Sequence, residues 1–485
     1  MGAYSGRGSK VSDADKKAMG SSVEGEVNIV HVTLIAAAAA MGGFLFGYDS
    51  AVINGAVDAI QHRFEVGPAT LGFTIAAALL GSAVGAATAG SLADRLGRIR
   101  VMQIAGLLFA VSAIGSALPF SVWDLTFWRI LGGVAIGMAS VIAPTYIAEI
   151  SPAAFRGRLA ALQQLAIVLG IAMSQLVNYT VAQSAGGSAQ NELGPLEAWQ
   201  WMLGIEVLPA LLYIGLSLTI PESPRFLVRV GRVPQARRIL EEVEGGDSAH
   251  VDRRIEEIHE ALGTERRARL SDLTGRFGLL PIVWIGMAIS AFQQLVGINV
   301  IFYYSSSLWQ SVGVAESDSL LLSLFTSVVN IVGTVIAIAL VDRIGRKPLL
   351  LVGSAGMAVA LGLTAYAFSN AVVVGDEASL SFGWGVVALV SASSFVLFFA
   401  LSWGVVVWVL LGEMFPLRIR AAAMAVATAT QWITNWLITV SFPSLRDWNL
   451  SGAYTLYALF AVLSFFFVWR FVRETRGKTL EEMQG

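Results

Sequence analysis

The chain has 485 residues, of which 55% are hydrophobic and only 14% charged, with a mean hydropathy of +0.68. Soluble proteins carry about 25% charged residues, so the composition points to an integral membrane protein rather than to about three soluble domains. A net charge of -2 offers no nucleic-acid surface, the lack of cysteine excludes disulfides and thiol chemistry, and four dispersed histidines (His31, His62, His250, His259) lack zinc-ligand spacing.

Residues 1–30 are Gly/Ser-rich and charged, with no apolar core of the signal-peptide kind, and read as a disordered cytoplasmic tail. A bilayer core about 30 Å thick takes roughly 20 apolar residues per helix. Twelve uncharged runs of that order follow, at 31–54, 70–92, 101–119, 125–148, 159–182, 199–220, 279–305, 319–341, 348–369, 381–412, 421–445 and 452–472. The alanine run Ala36–Ala40 is foreign to the alternating strands of a membrane barrel. The predicted fold is therefore an all-α membrane protein: a six-helix bundle over 31–220, a cytoplasmic helical linker over 221–278, a second six-helix bundle over 279–472 and a cytoplasmic tail over 473–485. In the linker, Val251, Ile255, Ile258 and Leu262 recur at helical spacing between charges, predicting short amphipathic helices that pack under the bundle or dock a regulator.

Of the 32 Lys+Arg residues, 29 fall in the two tails and in every second loop, leaving Arg63 and Arg446 on the opposite side and Arg129 near the start of the fourth run. Short cytoplasmic loops retain basic residues, so both termini are expected in the cytoplasm and the chain in a cell membrane.

The motif Asp94-Arg95-Leu96-Gly97-Arg98 after the second run returns as Asp342-Arg343-Ile344-Gly345-Arg346 after the eighth, an offset of 248. Glu149 and Arg156 return as Glu413 and Arg420 at 264, and Glu222 returns as Glu474 at 252. Three similar offsets in one order predict a duplicated six-helix unit, its copies parallel and related by an axis normal to the membrane, which is a geometry suited to alternating access. Asp94, Arg98, Glu149, Arg156, Asp342, Arg346, Glu413 and Arg420 all lie at helix ends. There they are placed to pair with one another and with helix dipoles and to act as cytoplasmic gate charges, or simply to fix orientation. Gly81 with Gly85, and Gly133 with Gly137, are small-residue spacings that allow close helix contact.

Full charges at membrane depth are few: Asp49, Arg129 and Glu206. Each is expensive there and calls for a partner or water. An acid whose environment alternates between burial and an adjacent arginine can load and release a proton; a fixed structural ion pair is the alternative. Uncharged polar residues form stripes: Gln164, Gln175 and Asn178 on the fifth run, Ser323, Thr326, Ser327, Asn330 and Thr334 on the eighth, and Thr428, Gln431 and Asn435 on the eleventh. The seventh run carries Gln293, Gln294 and Asn299 around Gly297, followed by Tyr303 and Tyr304. Single amides often serve as interhelical glue. Amides on several helices beside Trp408 and Trp432 instead suit a neutral polyhydroxylated solute, whose hydroxyls need donors and acceptors and whose C–H faces stack on rings.

Gly47-Tyr48-Asp49, the repeated Asp94–Arg98 motif, Pro221-Glu222-Ser223-Pro224-Arg225, Gln293-Gln294-Leu295 with Gly297-Ile298-Asn299, Phe302-Tyr303-Tyr304 and Glu474-Thr475-Arg476-Gly477-Lys478 occur together. With them the chain resembles the sugar porter branch of the major facilitator superfamily over nearly its whole length, and within it bacterial proton-coupled symporters such as actinobacterial glucose permeases. The resemblance implies sugar contacts at Gln164, Gln293, Gln294, Asn299, Tyr303, Asn330, Gly404, Trp408, Gln431 and Trp432. It also implies proton coupling at Asp49 with Arg129, assisted by Glu206. Related facilitators typically carry asparagine at the Asp49 position, so an acid there favours symport. The family's glycine, proline and tryptophan pattern stands here as Gly404-Val405 with Trp408, and its Arg-Gly after the tenth run as Arg420-Ala421. The expected activity is import of a hexose, D-glucose first and galactose, mannose or xylose as alternatives, together with a proton. An uncoupled facilitator and a non-transporting sensor are the other readings. No enzyme chemistry, metal or cofactor is expected, and a single copy suffices.

Overall fold

The computed structural model describes residues 29–152, 155–245, 248–264, 270–275, 278–374, 377–416 and 418–475; the expected tail up to residue 28 and residues 476–485 lie outside them. The first half consists of α1 (Ile29–Val52), a 3₁₀ turn (Ile53–Gly55), α2 (Val57–Phe64), α3 (Pro68–Leu96), α4 (Arg98–Ala117), α5 (Val122–Ile150), α6 (Arg156–Ser184), α7 (Ala198–Gly204) and α8 (Val207–Ser217). Three short helices follow: α9 (Pro224–Arg229), α10 (Val233–Glu244) and α11 (Ser248–Thr264). The second half consists of α12 (Pro281–Leu295), α13 (Ile298–Gln310), α14 (Glu316–Ile344), α15 (Arg346–Ser369), α16 (Phe382–Leu401), α17 (Trp403–Met414) and α18 (Arg420–Phe471). Among the described residues, strands are confined to three antiparallel hairpins, β1–β2 (Glu192–Leu193, Leu196–Glu197), β3–β4 (Thr274–Gly275, Gly278–Leu279) and β5–β6 (Val372–Val374, Glu377–Ser379).

Eleven stretches among the described residues are long and apolar enough to span a bilayer, and the last of them, Ala422–Phe471, is 50 residues long. At 1.5 Å per residue it would reach about 75 Å, more than twice a bilayer core, if straight. It is not straight: Asn449 leaves the helical region (φ -164°, ψ 96°), so α18 makes two passes. This accounts for the twelve apolar runs.

Close approach of backbones shapes the first half. A Cβ on Gly81 or Gly85 would strike a carbonyl of α5, and one on Gly133 or Gly137 would strike a carbonyl of α3. The expected packing role of these four glycines is therefore met reciprocally. The linker helices share a small core of Leu227, Val228, Ala236, Leu240, Val251 and Ile255, with Ile258 and Leu262 packed against it. Two of the four periodic residues thus lie inside that core and two at its edge.

The duplication is visible at atomic level. Arg98 grips Glu149 through two bonds of 2.8 Å, and Arg346 grips Glu413 through bonds of 3.0 and 2.7 Å. Ser223 Oγ donates to Glu149 (2.5 Å) and Thr475 Oγ1 to Glu413 (2.6 Å). Glu222 accepts the backbone N–H groups of Arg98 and Ile99 (3.0 and 3.2 Å), and Glu474 those of Arg346 and Lys347 (3.0 and 2.9 Å). Each carboxylate thereby satisfies free donors at a helix N-terminus and meets its positive dipole end. The glycine of each motif is required twice over. Gly97 and Gly345 have φ of 97° and 104°, and a Cβ on either would press on the capping carboxylate.

These pairs show how the expected gate charges are held in this structure. Arg98–Glu149 and Arg346–Glu413 each lie within one half, Asp94 pairs with Arg229 of the linker helix α9 (2.6 Å), and Arg420 Nε donates to the Phe415 carbonyl (3.1 Å). These bonds fasten helices inside each bundle, and the linker to the first, rather than one bundle to the other. The side chains of Arg156 and Asp342 lie outside the described set. At the end of the bundle opposite these basic motifs the two halves are bonded together. Ser306 N–H donates to Asn54 Oδ1 (2.9 Å), and Ala189 N–H donates to Glu316 Oε1 (2.7 Å). On the same side a Cβ on Gly72 of α3 would meet the Val440 carbonyl of α18.

Candidate functional site

Asp49 lies in the last turn of α1, after Gly47 and Tyr48, and Arg129 enters from α5. Arg129 Nη1 donates to Asp49 Oδ1 at 2.5 Å, and the side chains are only 4% and 3% exposed. Gly132, one turn beyond Arg129, makes room for the acid: a Cβ there would sit 2.7 Å from Asp49 Oδ2. Glu206, at the junction of α7 and α8, is likewise buried and faces the charges of both Asp49 and Arg129. The three residues singled out at membrane depth thus meet in one place inside the first half. Two acids and one base make a set of net charge -1, and one proton on either acid leaves the buried set neutral, as a low-dielectric environment favours.

The second half supplies an amide cluster, built where its helices break. Gly297 adopts φ 81°, which a side chain resists, and a Cβ there would meet the Tyr457 ring at 2.7 Å. The break between α12 and α13 brings Gln294 and Asn299 together, Asn299 Nδ2 donating to Gln294 Oε1 at 2.5 Å. Gln293 donates through Nε2 to the Trp403 carbonyl (2.8 Å) and accepts from Gln431 Nε2 (2.6 Å). That carbonyl sits just past a second break, at Ser402 (φ -132°, ψ -87°), which occurs with no proline. Tyr303 lines a small cavity with Arg129 and with Ser50, the residue next to Asp49, so the two halves meet there. Trp432 faces Phe46 of α1, with ring centroids 6.1 Å apart.

Gln293, Gln294, Asn299, Tyr303, Gln431 and Trp432 are therefore gathered into one region at the interface of the halves. Gln164 and Gly404 are partly buried and Asn330 is buried, but none of them joins these bonds; Trp408 is 39% exposed on the face of α17 opposite Trp403. Other parts of the stripes belong elsewhere. Gln175 Nε2 donates to the Ala51 carbonyl (3.1 Å) and Asn178 Nδ2 to the Val52 carbonyl (3.0 Å), so both glue α6 to α1. Ser323, Thr326 and Ser327 bond back to carbonyls of their own helix. Phe46, Ser50 and Trp403 were not anticipated. Phe46 and Ser50 flank Asp49 closely enough that its position was the available signal, whereas Trp403 acts through a backbone atom and gave none.

The Sugar (and other) transporter family matches residues 35–485. The chain is 54% identical over 459 residues to the glucose transport protein of Synechocystis, covering 94% of this chain and 97% of that one. It is 37% identical over 493 residues to the D-xylose-proton symporter of Escherichia coli, covering 95% and 96% respectively. The inward open structure of the xylose transporter XylE from E. coli superposes with a TM-score of 0.79 at 35% identity, over 93% of this chain and 99% of that one. With the duplicated twelve-pass fold and the family matched over nearly all of its length, the chain belongs to the sugar transporter family of the major facilitator superfamily.

Proposed function

We propose that the protein is a sugar:proton symporter that imports a hexose, D-glucose in the first place, by alternating access. The observation that carries this reading is the sealed Asp49–Arg129–Glu206 set, whose Arg129 lines one small cavity with Ser50 and with Tyr303 of the helix that carries Asn299. Charge neutrality gives the set a place for one proton, and the shared cavity puts the sugar helix beside it. The likeness to a glucose transport protein supports glucose over pentoses, and that to a D-xylose-proton symporter supports the proton. Gln163 Oε1 and Gln431 Oε1 are buried acceptors without a donor, which sugar hydroxyls would satisfy. Gln293, Gln294, Asn299, Tyr303, Gln431 and Trp432 form the sugar site, with Gln164, Asn330, Gly404 and Trp408 at its border.

In this reading the two units are 31–220 and 279–472, the basic motifs face the cytoplasm with both termini, and the protein sits in the cell membrane as a functional monomer. The structure then corresponds to a state fastened on the extracellular side. The test is purified protein in liposomes: adding D-glucose to the outside, with no other gradient, alkalinises the medium. Unlabelled glucose competes with labelled glucose uptake better than galactose, mannose or xylose does. Uptake without a pH change would reduce the protein to a facilitator, and better competition by xylose would reassign its sugar.

A further inference from the structure

Asp58 lies on α2, just past the first membrane pass, and the mechanism above does not use it. It is partly buried, and its two carboxylate oxygens accept from the other half: Ser307 Oγ donates to Oδ1 and Gln310 Nε2 to Oδ2, each at 2.8 Å. Ser307 in turn accepts from Arg446 Nη1, and Arg446 Nε is held by Asp447 Oδ1 at 2.9 Å. One turn away Asn54 accepts the Ser306 N–H and donates to Gln175 Oε1 at 2.9 Å, which ties the contact back to α6. All the donors on the second half belong to α13 and the far end of α18's first pass, and α13 also carries Asn299 and Tyr303.

We propose that Asp58 is the latch of the extracellular gate: a positioning residue that, through Ser307, Gln310 and the Arg446 relay, holds α13 shut over the sugar site. The inference rests on the alternating-access reading, because the two halves must part at this place for extracellular sugar to enter. The arrangement fits a latch that opens rather than a permanent weld. Both oxygens are served by neutral donors, with the arginine one bond removed, so Asp58 has no direct salt bridge to break. Burial also pushes the Asp58 carboxyl up, as do Glu316 and Asp447, while the Ser307 bond and Arg446 pull it down. Closure therefore takes up protons on the side from which protons enter.

The test uses substitutions at Gln310 with opposite expected signs. The chain lacks cysteine, so Ile75→Cys supplies a single reporter beneath the latch, where Ile75 is 2% exposed and lines a small cavity with Ser50 and Tyr303. Labelling by a membrane-impermeant maleimide from outside then reads how often the gate opens. Gln310→Glu places a carboxylate against Asp58 and is expected to raise the labelling rate about tenfold; Gln310→Lys is expected to lower it by a similar factor. Asp58→Asn combined with Gln310→Glu restores donor against acceptor and returns the rate toward that of the parent. Labelling that moves the same way in both single variants, or that the double variant leaves as high as Gln310→Glu alone, would overturn the latch. Because the readout needs neither sugar nor a proton gradient, the latch can fail while symport stands, and symport can fail while the latch stands.

Discussion

Replacing Asp49 by asparagine separates the two tasks of the buried ion pair. Removing one member of a buried pair costs about 3–5 kcal/mol when the other charge is left alone. Here it is not left alone: Asn Oδ1 can still accept from Arg129, and Glu206 still faces that guanidinium. The stability loss should then fall to about 1.5–3 kcal/mol, the range of a weakened charge-assisted bond. Arg129→Ala is the harsher change, since it leaves Asp49 and Glu206 facing each other without a cation, and the full 3–5 kcal/mol is expected. The functional loss runs in the other direction. One proton moving down about 100 mV supplies about 2.3 kcal/mol, enough for roughly fiftyfold accumulation. Asp49→Asn abolishes that term, so labelled glucose in energised liposomes should settle near equal concentrations inside and out, while exchange between labelled and unlabelled sugar continues. Accumulation undiminished in Asp49→Asn, in protein whose thermal unfolding shows it to be folded, would refute the coupling assigned to this acid.

Other outcomes follow from the same geometry. Gln293→Ala deprives the Trp403 carbonyl and Gln431 of their shared partner, so sugar affinity should fall at least about tenfold in direct binding. Gly345→Ala forces a left-handed backbone position and crowds the Glu474 cap; thermal unfolding should show a loss of about 1–3 kcal/mol, and Gly97→Ala should match it at the equivalent place. The pH dependence of Ile75→Cys labelling has a fixed sign. The closed state holds the Asp58 proton more tightly than the open one, whose carboxyl lies near its ordinary value of about 3.9. Closure is thus favoured fully below that value and loses this support as pH rises through the raised one, so labelling corrected for the thiolate fraction of the cysteine climbs with external pH, and Asp58→Asn flattens that corrected curve.

The membrane passes were legible because a hydrocarbon core sets one length scale, and the duplication because charges at helix ends recur as a set. What the sequence left open was which surface each polar face meets. Gln175 and Asn178 share a helical face with Gln164, but that face meets carbonyls of α1, where the chain turns into its 3₁₀ segment, and the amides are used up as glue. The repeated charges were recognisable as a set, yet Arg98 and Arg346 each find their carboxylate inside their own half, a fact that periodicity does not encode. The break at Ser402 was hidden for a different reason: no proline or positive-φ glycine marks it. Asp58 was overlooked because a lone acid just beyond an apolar run looks like an ordinary loop charge. Its meaning depends on Ser307 and Gln310, about 250 positions later in the chain, coming to rest against it. A duplicated bundle encodes its halves locally and their interface only jointly, so the residues that govern motion between halves are those that a single pass along the chain is least able to single out.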